Sequence, residues 1–199
     1  MLKLPYSCWL VGVVVLCVFF TGCSKLSLGY RYSVAGSHVS DQLEGPYMPT
    51  EVISPTEVRA NLYDGRQHKE VVLVLRGVVS PSDRRLRDEA EKWLDYKILC
   101  YRDEGFYILK NTLLDADCAR MTGVVLYPLQ RSVYHNARSG ETETVVHRYG
   151  VLQCSALASG ILLHMKEDTH YPWDRDFAHF QRSAQRDRLG CWNTQNEEH

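Results

Sequence analysis

The sequence lacks an excess of charge of either sign: 23 Lys and Arg stand against 24 Asp and Glu, for a formal net charge of -1 over 199 residues. This excludes a global basic field of the kind that draws in nucleic acid, so any such contact must be local. The sequence also lacks the spacing of a zinc site. No CxxC pair and no close Cys/His set occurs, and His164 and His170 are not at the i,i+4 spacing of a helical metal pair. Lone histidines of this kind are far more often surface or packed residues than ligands. The apolar run near the N-terminus, Cys8 to Phe20, falls short of the roughly 20 residues that cross a bilayer.

What that run does resemble is an export signal. Lys3 precedes it and the small residues Thr21 and Gly22 follow it, directly before Cys23. The string FTGC is similar to the bacterial lipobox, with Phe20 where Leu is usual. The resemblance implies a signal peptide over residues 1–22, acylation of Cys23 as the first mature residue, and a domain held outside the cytoplasm at the cell envelope. Ser24 is compatible with the outer membrane. Several acyl chains give a stable anchor, because each buried methylene contributes about 0.8 kcal/mol and one chain alone is marginal. Once Cys8, Cys17 and Cys23 are set aside, Cys100, Cys118, Cys154 and Cys191 remain, an even number in an oxidising compartment with three possible connectivities.

Residues 23–55 carry Gly, Ser, His, Tyr and Pro without a sustained period and read as a tether. Beyond them, EVRANLYDGRQHKEVVLVLRGVV forms two extended runs around Asp64-Gly65, a hairpin signal, and the run from Val71 to Val79 has the β-branched content of a central strand. Leu86, Ala90, Trp93 and Leu94 recur at helical spacing after Ser80 or Ser82 as N-cap. KILCYR, FYILKN, MTGVVLYPL, SVYHN and ETETVVHRY then read as short strands in meander order. A second helix carries Leu157, Ala158, Ile161, Leu162 and Met165. A third runs from about Trp173 to Leu189 and stops at Gly190, the position that favours positive φ. The expected fold is α+β: a five-stranded OB-fold β-barrel with three helices, since closure removes exposed edges from short strands.

The order of these elements and four local strings resemble the staphylococcal-nuclease-like, or thermonuclease, family. Val74-Leu75-Arg76-Gly77-Val78-Val79-Ser80-Pro81-Ser82, followed by Glu89-Ala90, is similar to its strand-turn-helix motif. Cys118-Ala119-Arg120-Met121-Thr122-Gly123-Val124-Val125-Leu126 is similar to a second motif, Leu157-Ala158-Ser159-Gly160-Ile161-Leu162 to a third, and Ala184 through Gly190 to Trp192 matches the ending. The resemblance covers residues 56–192 and leaves 193–199 as a polar tail. It implies a domain in which acidic groups hold one calcium beside the scissile phosphate while two arginines bind the phosphate. That division is physically sensible, because Ca²⁺ takes several oxygen ligands and phosphoryl transfer rewards positive charge on the equatorial oxygens.

Residue by residue the chemistry is thin. The family's carboxylate before the proline corresponds to Val79, and the glutamate after it to Ser82, with Asp83 one residue on. The first arginine corresponds to Val74, with Arg76 two positions along the same strand; the second corresponds to Arg120. Glu57 is the nearest acidic residue of the first strand. The site candidates are therefore Arg120, Arg76 and Asp83 for catalysis and Glu57 for metal, with Asp83 more simply explained as first-turn stabilisation of a helix. No cofactor is expected, or Ca²⁺ if the domain is active.

The expected function is an exported lipoprotein whose degenerate thermonuclease-like domain binds single-stranded nucleic acid or an envelope protein without efficient cleavage. Tyrosines such as Tyr107 and Tyr134 and arginines such as Arg84 and Arg131 supply the residue types for strand binding. An active nuclease using Glu57, Asp83, Arg76 and Arg120 together, or a purely structural lipoprotein, are the alternatives. Pro128 to Tyr149 reads as a projecting hairpin suited to a tolerated insertion or a docking arm. Cys100 with Cys118 and Cys154 with Cys191 are the expected disulfides, and Trp192 is expected to plug the barrel.

Overall fold

The computed structural model describes residues 33–63, 68–114, 116–117, 119–135, 140–167 and 171–193. The signal segment, Cys23, Asp64-Gly65, Cys118, Ser139 and residues 194–199 lie outside the described residues. The described chain is α+β. Its strands are β1 (Ser33–Ala35), β2 (Leu43–Ser54), β3 (Glu57–Tyr63), β4 (His68–Leu75), β5 (Val78–Val79), β6 (Phe106–Leu109), β7 (Ala116–Asp117), β8 (Arg120–Gly123), β9 (Val125–His135), β10 (Thr142–Val151) and β11 (Leu163–His164). Its helices are α1 (Gly36–Val39), α2 (Arg84–Tyr101), α3 (Leu152–Ala158) and α4 (Asp174–Arg186).

Nine strands form one sheet in the order β1-β10-β9-β6-β2-β3-β4-β8-β7, and β5 pairs with β11 separately. The expected count of five strands and three helices is thus corrected to nine in the main sheet and four helices. Much of the difference lies in residues 33–54. Expected within a tether, they instead build β1, α1 and the 12-residue β2. Their glycine and prolines hid a long strand: β2 pairs with β3 on one side and β6 on the other, and Tyr47 within it is fully buried.

The β3–β4 hairpin forms as the alternation requires, in register from Glu57↔Val74 to Tyr63↔His68. Val58, Ala60, Val71, Leu73 and Leu75 all turn inward, while Arg59 and Glu70 face out. Helix α2 begins one residue later than a Ser82 cap would place it and three later than a Ser80 cap would. Asp83 is the N-cap, its Oδ1 accepting from the Leu86 N–H at 3.0 Å. Ala90, Leu94 and Ile98 then form its buried stripe. KILCYR is therefore not a strand but the end of this helix, and Leu99, 70% exposed, lies off the stripe.

The second expected helix is shorter than its periodicity implied. α3 ends at Ala158 and Gly160 adopts φ +67, after which a bend at Ile161 and Leu162 leads into β11. Leu162 is buried without being helical. The third helix is close to expectation, with Phe177, Phe180 and Ala184 buried along α4. The residue of positive φ directly after it is Arg188, with Gly190 following two residues later. Gly160 and Gly190 meet: a side chain on Gly190 would strike the Gly160 carbonyl, and the Cys191 N–H donates to that carbonyl at 2.8 Å. The C-terminal turn is thereby seated on the end of α3.

Two buried polar side chains hold the bend between β8 and β9. At Val124 the chain leaves β4, its parallel neighbour, for β6. Thr112 Oγ1 accepts from the Val124 N–H at 2.8 Å, and Gln153 Oε1 accepts from the Val125 N–H at 3.1 Å. Gln153 Nε2 donates to the Gly123 carbonyl at 2.8 Å. Both side chains are fully buried, so the ladder groups freed by the bend are satisfied from within.

Of the two expected disulfides, Cys154–Cys191 is not formed, and Cys118, the expected partner of Cys100, lies outside the described residues. Cys100 is free and exposed, Cys154 free and buried, and Cys191 free and half-buried. Cys154 is fully buried on α3. No helix among the described residues is long and apolar enough to cross a membrane.

Candidate functional site

On the outer face of β3, β4 and β8, cross-strand register places the charged candidates. Glu57, Val74 and Thr122 form one row, and Arg59, Val72 and Arg120 form the next row on the same face. Arg120 reaches diagonally across β4, and its guanidinium donates to the Glu57 carboxylate. The sequence candidates Arg120 and Glu57 are therefore neighbours. They neutralise each other.

Arg76 is not with them. It lies just past the end of β4, 9% exposed, and its Nε and Nη2 donate to Glu167 at 3.0 and 2.7 Å. Nη1 donates to the Thr112 carbonyl at 2.6 Å, and the guanidinium stacks 4.2 Å from the centre of the Tyr171 ring. A two-pronged carboxylate, a carbonyl and an aromatic face leave this cation no access to a phosphate. Burial drives the Tyr171 phenol well above its ordinary range, with Arg76 pulling the other way and Glu167 adding to the rise.

Asp83 is occupied as the α2 N-cap. Its carboxylate also borders an open cleft of about 440 Å³ lined by Arg85, Leu86, Glu89, Gly190, Cys191 and Asn193. Neither Glu57 nor Arg120 lines that cleft. Val79, in the family's carboxylate position, pairs with Leu163 in the β5–β11 ladder, and the Met165 N–H donates to Gly77 at 3.0 Å beside it. The turn before Pro81 thus serves as a strap for the segment that carries Glu167. Among the described residues, no group of three or more His, Cys, Asp or Glu side chains is placed to hold a metal ion.

Of the four candidates, the structure brings together only Glu57 and Arg120. Sequence reasoning missed Glu167 and Arg59. Glu167 follows a strand of only two residues, and no periodicity marks it. Arg59 bridges Glu51 at 2.9 Å and Glu70 at 2.7 Å, a triad visible only once β2, β3 and β4 are in register. Trp192 is half-buried, with its indole N–H shielded and without a hydrogen-bond partner among the described residues, so it is neither exposed nor a fully buried plug.

A second cleft, about 300 Å³, opens where β9 and β10 leave the body. Pro46, Met48, Tyr107, Pro128 and Val146 line it with Asp103, Glu104, Arg131 and Thr144. Arg131 is ion-paired to Glu104. No protein-family model and no curated protein matches the chain.

Proposed function

We propose that the chain is an exported lipoprotein, anchored through Cys23, whose thermonuclease-like OB domain binds an envelope partner and does not cut phosphodiesters. The barrel reading is supported by the pairing order. β2 pairs with β3, β3 with β4, β4 in parallel with β8, and β9 with β6, which returns to β2. β8 and β9 are separated by Val124 alone. Followed through that bend as one strand, five strands make a circuit, as closure of a Greek-key barrel requires. The contact between Gly160 and Gly190 joins the third and fourth strings of the family resemblance.

One observation carries the functional reading: both arginines nominated for phosphate already hold carboxylates of the chain itself, Arg120 with Glu57 and Arg76 with Glu167. A phosphate would have to displace an internal anion from each, in one case from a buried site. Calcium would have to take Glu57 from its arginine and find further oxygens around it, and an under-liganded Ca²⁺ keeps its water instead. The same occupancy favours a protein partner over a nucleic-acid strand, in keeping with the absence of a basic field.

The test is to incubate the purified chain with single-stranded DNA and RNA, with calcium or with a chelator, across a salt series. The expected result is no cleavage and no salt-sensitive retention. Calcium-dependent cleavage lost on Arg120→Ala would establish the active-nuclease alternative. Salt-sensitive retention without cleavage would replace the protein partner by nucleic acid.

A further inference from the structure

The charged side chains that line the two clefts are, with one exception, engaged within the chain. In the larger cleft Asp83 caps α2 and Arg85 pairs with Glu89. In the smaller one Glu104 holds Arg131, but the Asp103 carboxylate beside it has no ion pair or hydrogen bond among the described residues.

The fold fixes that charge where the helix before it disfavours it. α2 ends at Tyr101 with no basic residue in its last turn, and Asp103 and Glu104 follow at the negative pole of an 18-residue helix. Arg102, the C-cap, does not line the cleft. The turn is held closely: the Glu104 and Gly105 N–H groups both donate to the Tyr101 carbonyl, at 3.2 and 2.8 Å. Gly105 takes φ +79, with Pro46 packed where a side chain would stand. Asp103 is exposed and Glu104 half-buried, at the rim of a cleft whose walls are Met48, Pro128, Val146 and the Tyr107 ring. That ring is braced edge-on against Tyr149, 5.2 Å between centres. Burial raises the Tyr107 phenol above its ordinary value, and the Glu104 carboxylate adds to the rise.

We infer that this cleft seats one lysine or arginine side chain of a partner protein, its methylene stem along the apolar walls and its cationic head on Asp103. The inference rests on the reading that the domain binds an envelope protein, and it names the chemistry recognised there. A volume of about 300 Å³ is at the bottom of the range for ligand pockets and suits one long side chain better than a nucleotide. The walls match a residue that is apolar along its stem and charged at its tip, and the Tyr107 ring offers that cation a π face. Charge then decides between occupants. Two carboxylates, Asp103 and Glu104, against the one guanidinium of Arg131 leave a net charge of -1, which repels an anion. A purely apolar occupant would bury Asp103 without a counter-charge. Val133, cross-strand from Thr144 in the cleft wall and 50% exposed, continues the apolar surface beyond the cleft, which a protein covers and a small free amine does not.

The test uses the full chain in neutral detergent micelles and two probes, an N-acetylated, C-amidated pentapeptide with arginine between two leucines and its citrulline counterpart, which keeps the shape and removes the charge. Saturation-transfer NMR titrations are expected to give the arginine peptide an affinity about 10-fold above the citrulline peptide, a gap that narrows as salt is raised. Asp103→Asn is expected to abolish the gap while raising the thermal midpoint, because it removes a carboxylate from the negative end of α2, so lost folding cannot explain lost binding. Thr144→Arg supplies a cation to the cleft from within the chain and is expected to abolish the gap as well. Equal affinities for the two peptides, binding of neither, or a gap that survives Asp103→Asn overturns the inference. The partner reading is scored separately, by photo-cross-linking in cells from benzoylphenylalanine placed at position 144 or, on exposed β4, at position 70. Envelope-protein adducts from position 144 that vanish with Asp103→Asn support the inference. Adducts from position 70 alone overturn it and leave the partner reading standing, and adducts from neither contradict both.

Discussion

Arg120 of β8 spans β4 to bond Glu57 of β3, so the phosphate-binding arginine of the family resemblance and the nearest acidic candidate are partners of each other. Arg120 is about half exposed, so water screens the pair and its worth is small. Arg120→Ala and Glu57→Gln are each expected to lower stability by about 0–1 kcal/mol, measured by urea unfolding. A larger loss from either would mean that the pair does more than neutralise one face of the sheet.

The Arg76–Glu167 pair is a different case because both partners are nearly buried. Removing only the cation leaves a buried carboxylate without its counter-charge. Arg76→Met is expected to cost about 3–5 kcal/mol. Adding Glu167→Gln to Arg76→Met is expected to recover part of that loss, and a double-mutant cycle on thermal or urea unfolding checks the sign of the coupling.

Gln153 supplies a test of the bend. Gln153→Leu keeps the volume roughly constant but leaves the Val125 N–H without an acceptor in the core. A loss of about 1–3 kcal/mol is expected, with amide exchange at Val125 accelerated more than at the midpoint of β4. Unchanged exchange at Val125 would show that the bend does not need the side chain.

Alkaline pH should unfold the domain through its phenols. Burial pushes Tyr101 up to about 12 from the ordinary 10.0, and Tyr47 and Tyr171 higher still for the same leading reason. A phenol whose folded pKa is raised stabilises the fold fully below its unfolded value. That stability is lost as pH climbs from about 10 toward the folded value. Tyrosinate absorbance and far-ultraviolet dichroism are expected to change together between pH 10 and 12. Ionisation of Tyr101, Tyr47 and Tyr171 without loss of dichroism would contradict the linkage.

Thiol reactivity should separate the cysteines by burial. Burial pushes Cys154 well above the usual thiol value and raises Cys191, with Glu89 and Asp83 adding to the latter. Cys100 is exposed on α2. Alkylation of the native chain is expected to label Cys100 much faster than Cys154 or Cys191, read by peptide mass spectrometry. Fast labelling of Cys154 would place it outside the core.

The parts of this fold legible in the sequence are those where a short-range rule and tertiary packing agree. The β3–β4 hairpin, the β9–β10 hairpin and α4 each follow their apolar period. β2 was hidden because Gly45, Pro46 and Pro49 read as loop, while its pairing with β3 and β6 is long-range. KILCYR reads equally well as alternation or as the last turn of a helix, and only Leu94 and Ile98 on a common buried stripe decide it. For the site, residue types were legible and partners were not. Nothing local announces that Glu167 will fill Arg76, since the two meet only when the β5–β11 ladder brings the later segment back.

The central claim is that the anionic and cationic groups on this face of β3, β4 and β8 are spent on one another. Its most direct test is calcium binding, measured by titration calorimetry on the full chain together with the thermal midpoint in calcium and in chelator. The account expects no saturable heat and the same midpoint in both, whereas a bound ion at 100 times its Kd would stabilise the fold by about 2.7 kcal/mol. Saturable calcium binding that disappears in Glu57→Gln would contradict it.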